Sequence, residues 1–158
     1  MKNVMMLAAS AGALLWALPA AAQDTAVEAP IKVFVDSFNK GDVAGAMATH
    51  VSTGATIVDE VAPYMWSGAK SFADWGASYD VDAKAKGITE PSVSVGTPTR
   101  ELVTGTNAYV IVPSVYSFKQ NGTAMREVAQ MTFALVKTAG GWKIAAWTWT
   151  GPNPIPAK

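Results

Sequence analysis

Apolar and polar residues alternate with a period of two from Ser92 to Thr150, and short turn signals cut that run into strand-sized pieces. The signals are Gly105-Thr106, Asn121-Gly122 and Gly140-Gly141, which predict strands over 92–104, 107–120, 123–138 and 142–150. Strands joined by turns this short are antiparallel neighbours. Asn121-Gly122 is the clearest turn, because both residues tolerate the positive φ of a type I′ hairpin. Asn121-Gly122-Thr123 also spells a glycosylation triplet, and the hairpin reading is preferred. Pro98 and Pro113 interrupt the run; lacking an N–H, each belongs at an edge or a bulge, and bulges bend sheets.

A two-residue turn at Asn121-Gly122 fixes a register. Gln120 faces Thr123, followed by Phe118 with Met125, Tyr116 with Glu127, Ser114 with Ala129, Val112 with Met131 and Val110 with Phe133. These side chains share one face, apolar at its far end, which reads as the concave core face. Lys119, Ser117, Arg126, Gln130 and Thr132 lie on the other, as on a solvent or dimer face. Glu127 is then either a buried carboxylate, which must be paired or have a raised pKa and so marks a site, or a rim residue, exposed or bonded to Tyr116.

Helical spacing precedes the strands. Val27, Ile31, Phe34, Val35 and Phe38 line one face of a helix that ends at Lys40-Gly41, with Pro30 expected in its first turn. Asp42 has N-cap chemistry for a second helix whose face carries Val43, Ala46, Met47 and His50. A third helix is expected from Ser67 or Gly68 into the 80s, with Phe72, Trp75, Gly76 and Tyr79 on one face; a capping-box spacing at Ser71 and Asp74 allows a start one turn later. Residues 55–59 form a further short strand ending at Asp59. Three helices and a curved, mostly antiparallel sheet that wraps them define an α+β layer.

The first 22 residues obey a different logic. Lys2, an apolar run over 4–18 and Ala20-Ala21-Ala22 form a secretory signal too short for a comfortable membrane span, so residues 23–158 are expected as one mature domain in the periplasm or the medium. Lys2 leaves with the signal, so 11 basic residues face 12 acidic ones, a formal charge of −1. That balance attracts neither nucleic acid nor an anionic membrane, and no stable membrane insertion is expected after cleavage. The chain has no cysteine, which excludes disulfides and a lipidated N-terminus. One histidine and scattered carboxylates give no clustered metal ligands, and no nucleotide or serine-hydrolase motif is present, so no cofactor is expected.

The order of these motifs resembles the ketosteroid-isomerase branch of the NTF2-like (SnoaL-like) superfamily. Ala55-Thr56-Ile57-Val58-Asp59 is similar to the strand Ala-Thr-Val-Glu-Asp that ends in those enzymes' general base. Asn39-Lys40-Gly41-Asp42 is similar to their Asn-x-Gly-Asp elbow, and Ser67-Gly68 to the pair that introduces their third helix. The resemblance implies an NTF2-like cone enclosing a pocket, a base at Asp59 and a homodimer through the outer sheet face, where Ile111, Val115, Val128 and Val136 alternate with polar residues. It also implies oxyanion donors that this chain lacks: the position of the first-helix tyrosine holds Phe34, and Ala129, Gln130 and Met131 offer no late-strand acid.

Three functional readings follow. An aromatic-lined cone binds a small apolar or aromatic molecule, with His50, Tyr64, Trp66, Trp75, Tyr79, Tyr116, Glu127 and Trp147 as candidate contacts and Asp59 orienting the polar end. Alternatively, Asp59 is the general base of a cofactor-independent isomerase or lyase. The third reading is a dimeric scaffold with a vestigial pocket. His50 also has a bland assignment, as a hydrogen-bonded core histidine. Trp147 and Trp149 point the same way along the last strand, and only one register turns them inward.

Overall fold

The computed structural model describes residues 24–158. The proposed signal over 1–22 lies outside them. Helix α1 spans Thr25–Lys40 and α2 spans Val43–Ala48; β1 (Thr56–Val58) and β2 (Met65–Trp66) precede α3 (Ser71–Lys86). Strands β3 (Ile88–Val95), β4 (Arg100–Thr104), β5 (Asn107–Gln120), β6 (Thr123–Thr138), β7 (Gly141–Thr150) and β8 (Ile155–Pro156) complete the chain. All eight strands join one curved, unclosed sheet in the order β2-β1-β7-β6-β5-β3, with β4 on β5 and β8 on β6. Every pairing is antiparallel except β1 on β7.

The central hairpin has the predicted register, from Gln120 opposite Thr123 through Val110 opposite Phe133. Asn121 and Gly122 both take positive φ, 49° and 83°, as a type I′ turn requires. Val110, Val112, Ser114, Tyr116 and Phe118 are all buried on the concave side. The expected strand over 92–104 is instead two strands. β3 pairs with β5 from Ser114 to Gln120, β4 pairs with it from Asn107 to Ile111, and Pro113 falls between the two pairings. Its carbonyl accepts from Gly96 at 2.9 Å, so the N–H that proline lacks is missing where the neighbouring chain crosses over.

The last strand also departs from expectation. The turn residues are Ala139-Gly140, one earlier than expected, and Thr138 faces Gly141. A bulge opposite the Ala134/Leu135 step then changes the parity of β7. Trp142 and Ile144 point inward before it, and Trp147 and Trp149 after it.

Three corrections concern the helices. α1 starts a turn earlier than expected, capped by Asp24, whose carboxylate accepts from the Ala26 N–H at 3.0 Å; Pro30 therefore lies in the second turn. α3 starts at Ser71, not at Ser67 or Gly68; its N-cap is Lys70, and the Ser71 hydroxyl is buried without a partner, so no capping box forms. α2, capped by Asp42 onto the Gly45 N–H, ends at Ala48 before it reaches His50. Val43 and Met47 are consequently exposed, 66% and 52%, while Ala46 and His50 are buried.

α1 is fixed to the sheet by one side chain. Asn39 donates to the Val93 carbonyl at 2.8 Å and accepts from the Val93 N–H at 2.7 Å, so its amide substitutes for a strand neighbour at the edge of β3. The helix then lays Val27, Ile31, Phe34 and Val35 on the core formed by Val110, Phe133, Leu135, Ile144 and Trp147.

Candidate functional site

Between α1, α3 and the concave sheet lies a cleft with about 530 Å³ of empty space, including its open mouth. The interior is narrow: the centre of a water-sized sphere can move through only about 60 Å³ of it. A water needs roughly 10–15 Å³ by that measure, so the closed part suits a guest no larger than a few waters or a single ring. Aromatic walls enclose it. Trp75 stands edge-on to Trp147 at 5.1 Å, Tyr79 lies 5.9 Å from Trp75 and 5.5 Å from Phe38, and Phe34 lies 5.6 Å from Trp147.

Carboxyl groups gather at one side. β1 runs parallel to β7 with Ile57 beside Trp147 and Val58 beside Thr148, and this register carries Asp59 to the cleft. Its Oδ2 accepts from the Trp75 indole N–H at 2.6 Å and its Oδ1 from the Glu60 N–H at 2.7 Å. Burial raises its pKa, and those two bonds oppose the rise. Glu60 follows in the same wall. Its pKa is pushed up to about 7, first by burial of the carboxyl and then by the negative charges of Glu127 and Asp59.

Glu127 is the third acid, 1% exposed on β6 opposite Tyr116. Its Oε1 accepts from the Trp149 indole at 2.7 Å, and the rim reading with a bond to Tyr116 is therefore wrong. Gly151 covers the same carboxylate so closely that a methyl group there would strike Oε1. Oε2 is buried with no N–H or hydroxyl donor. Glu60 lies near enough that the two carboxyls act on each other: the interaction raises Glu60 further and opposes the burial that raises Glu127.

Tyr116 and Tyr79 meet hydroxyl to hydroxyl at 2.8 Å. Either hydroxyl can be the donor in this bond, and whichever accepts keeps its own O–H free to donate to a guest. Burial raises both phenols, which stay neutral and act as donors.

Of the residues predicted from sequence, Asp59, Trp75, Tyr79, Tyr116 and Trp147 line the cleft, and Glu127 touches it through Trp149 and Glu60. The other three lie elsewhere. Tyr64 is 61% exposed in the β1–β2 connection, and Trp66 is buried in the core without lining the cleft. His50 sits behind Trp147, whose indole donates to its Nε2 at 3.1 Å while its Nδ1 bonds the Ala46 carbonyl at 3.0 Å. That is the hydrogen-bonded core histidine. Glu60 and Trp149 line the cleft without having been among the candidate contacts expected from sequence. Adjacent acids at a strand end, Asp59-Glu60, were the available signal.

Among the described residues no group of three or more histidines, cysteines or acids is arranged to hold a metal ion, and no helix is long and apolar enough to cross a membrane. No protein-family model matches the sequence, and no curated protein is similar to it. Solved structures are similar in fold. A ketosteroid isomerase-like protein from Erwinia carotovora atroseptica superposes with a TM-score of 0.63 at 16% identity, over 82% of this chain and 96% of that one. An NTF2-like superfamily protein from Salmonella enterica gives 0.67 at 15%, over 82% and 90%. A hexachlorocyclohexane dehydrochlorinase, LinA type 2, gives 0.68 at 14%, over 85% and 90%. With helices packed on a curved sheet, a cleft between them and Asp59 at the end of β1, the chain has the NTF2-like fold that its motif order resembles.

Proposed function

We propose that the protein is exported and binds a small apolar or aromatic molecule in this cleft. One observation carries the reading: five aromatic side chains from α3, β5 and β7, namely Trp75, Tyr79, Tyr116, Trp147 and Trp149, line one narrow space that also presents a carboxylate and a free phenolic donor. Binding sites have this composition, with mostly apolar walls and a few convergent polar groups. Export rests on the N-terminal leader pattern. A homodimer through the convex face rests on Val128, 55% exposed, flanked by Ile111, Val115 and Val136 on the same side.

A second reading has its own support. Asp59 is a half-buried carboxylate of raised pKa, and the Tyr79–Tyr116 pair offers a hydrogen-bond donor in the same cleft, in place of those absent at Phe34 and at 129–131. A base facing donors can remove a proton next to a carbonyl or from a carbon bearing a leaving group. LinA type 2 is named as a dehydrochlorinase, and a structure from Novosphingobium aromaticivorans of similar fold as a putative scytalone dehydratase; both names describe eliminations.

Asp59→Asn separates the readings, because asparagine keeps an oxygen for the Trp75 N–H and loses the base. A binding protein should hold its guest within about tenfold of wild type, since a neutral hydrogen bond replaces a charge-assisted one. An enzyme should lose turnover by at least about a hundredfold while still binding. Mass spectrometry of molecules retained by the native protein supplies the guest for both assays.

A further inference from the structure

We propose that the guest of this cleft is a protonated amine carried on a small aromatic or aliphatic body. The inference rests on the small-molecule reading above and adds the charge of the ligand.

Asp59 and Glu60 line the cleft, Glu127 lies directly behind its wall on the Trp149 indole, and no lysine, arginine or histidine is among the lining residues. Lys86 is the cation that acts on Asp59 and Glu60, and it is held 2.7 Å from Asp82 on its own helix. No cationic side chain of the lining pairs with these acids.

A neutral apolar guest leaves that imbalance untouched. An anion would meet three acids. An ammonium group answers both features of the site. Its N–H groups are charge-assisted donors for carboxylates, and the buried Oε2 of Glu127, behind Trp149, has no hydrogen-bond partner of its own. The faces of Trp75, Tyr79, Trp147 and Trp149 attract the same positive charge through their ring quadrupoles.

The test uses three compounds of one shape: phenethylamine, 2-phenylethanol and phenylacetate, titrated into the full protein at about pH 8 and followed by tryptophan fluorescence. The amine should bind at least about tenfold more tightly than the alcohol, the sum of a cation–π contact and a charge-assisted hydrogen bond, and phenylacetate should bind most weakly. In Glu60→Gln, which exchanges one carboxylate for a neutral amide on a solvent-accessible residue, the amine-to-alcohol ratio should fall to within about threefold. An alcohol that binds as tightly as the amine overturns the charge assignment and leaves small-molecule binding standing. Undiminished amine preference in Glu60→Gln overturns the assignment to these acids. Failure of all three compounds to bind at millimolar concentration overturns the small-molecule reading itself.

Discussion

Phe133→Ala should remove about 3–5 kcal/mol of folding stability, the cost of emptying a buried phenylalanine site. Phe133 is fully buried at the middle of β6, paired with Val110 on one side and Trp147 on the other, with the Phe34 ring of α1 6.5 Å away. It is thus the point where helix and sheet share a core. The cavity would not collapse easily, because β5 is held to β6 by an unbroken ladder from Asn107 to Gln120. Urea unfolding followed by circular dichroism reads the effect. Val81→Ala, at a 72% exposed site on α3, should shift the midpoint by no more than about 0.5 kcal/mol in the same assay.

The second large effect is a dependence on pH centred on His50. It is the sole histidine of the chain, and its pKa is lowered to about 4, first by burial; the backbone bond to Ala46 opposes that shift and Lys143 adds to it. A histidine depressed in the folded state stabilises the fold at pH values above its unfolded pKa of about 6.5. That contribution, about 3 kcal/mol from the size of the shift, disappears as pH falls from 6.5 toward 4. The tautomer agrees with this. Nε2 accepts the Trp147 N–H and Nδ1 carries the proton toward the Ala46 carbonyl, so protonating Nε2 would set two donors against each other. The single imidazole Cε1–H signal in proton NMR should titrate near pH 4; a midpoint near 6.5 would contradict the buried assignment.

The acids of the cleft work in the opposite sense. Asp59, Glu60 and Glu127 all have raised pKa values, so they favour the folded state most at low pH and lose that advantage as pH rises through the raised values, about 7 for Glu60. Between pH 4 and 7 the histidine and the carboxyls therefore offset one another, and a flat stability profile would conceal two steep components. The histidine signal reports one of them directly.

The β5–β6 hairpin was legible in the sequence down to its residue pairs, because a two-residue Asn-Gly turn fixes register and a strict period of two fixes facing. Asp59 was legible for a similar reason: an apolar strand of fixed parity ends at it. The limits were equally physical. Glu60 should alternate away from Asp59 on an extended strand, but β1 ends at Val58, and the carboxyls of Asp59 and Glu60 both turn toward the cleft. Trp147 and Trp149 face inward only because a bulge resets parity within Ala145-Ala146, where alanines give no warning. His50 fitted a helical spacing that the chain abandons at Ala48, and Tyr64 and Trp66 belong to a connection whose aromatic content resembles a pocket wall without forming one.

The central claim is that a guest enters among the tryptophans of α3 and β7. It is tested most directly by recording the indole N–H signals of ¹⁵N-labelled protein while adding 2-phenylethanol. Trp75, Trp147 and Trp149 line the cleft, whereas Trp142 is buried near Lys137 and outside it. Saturable shifts of the first three signals with Trp142 unmoved are the expected result. Indoles of the cleft that stay fixed at saturating compound, or shifts confined to Trp142, would contradict the account.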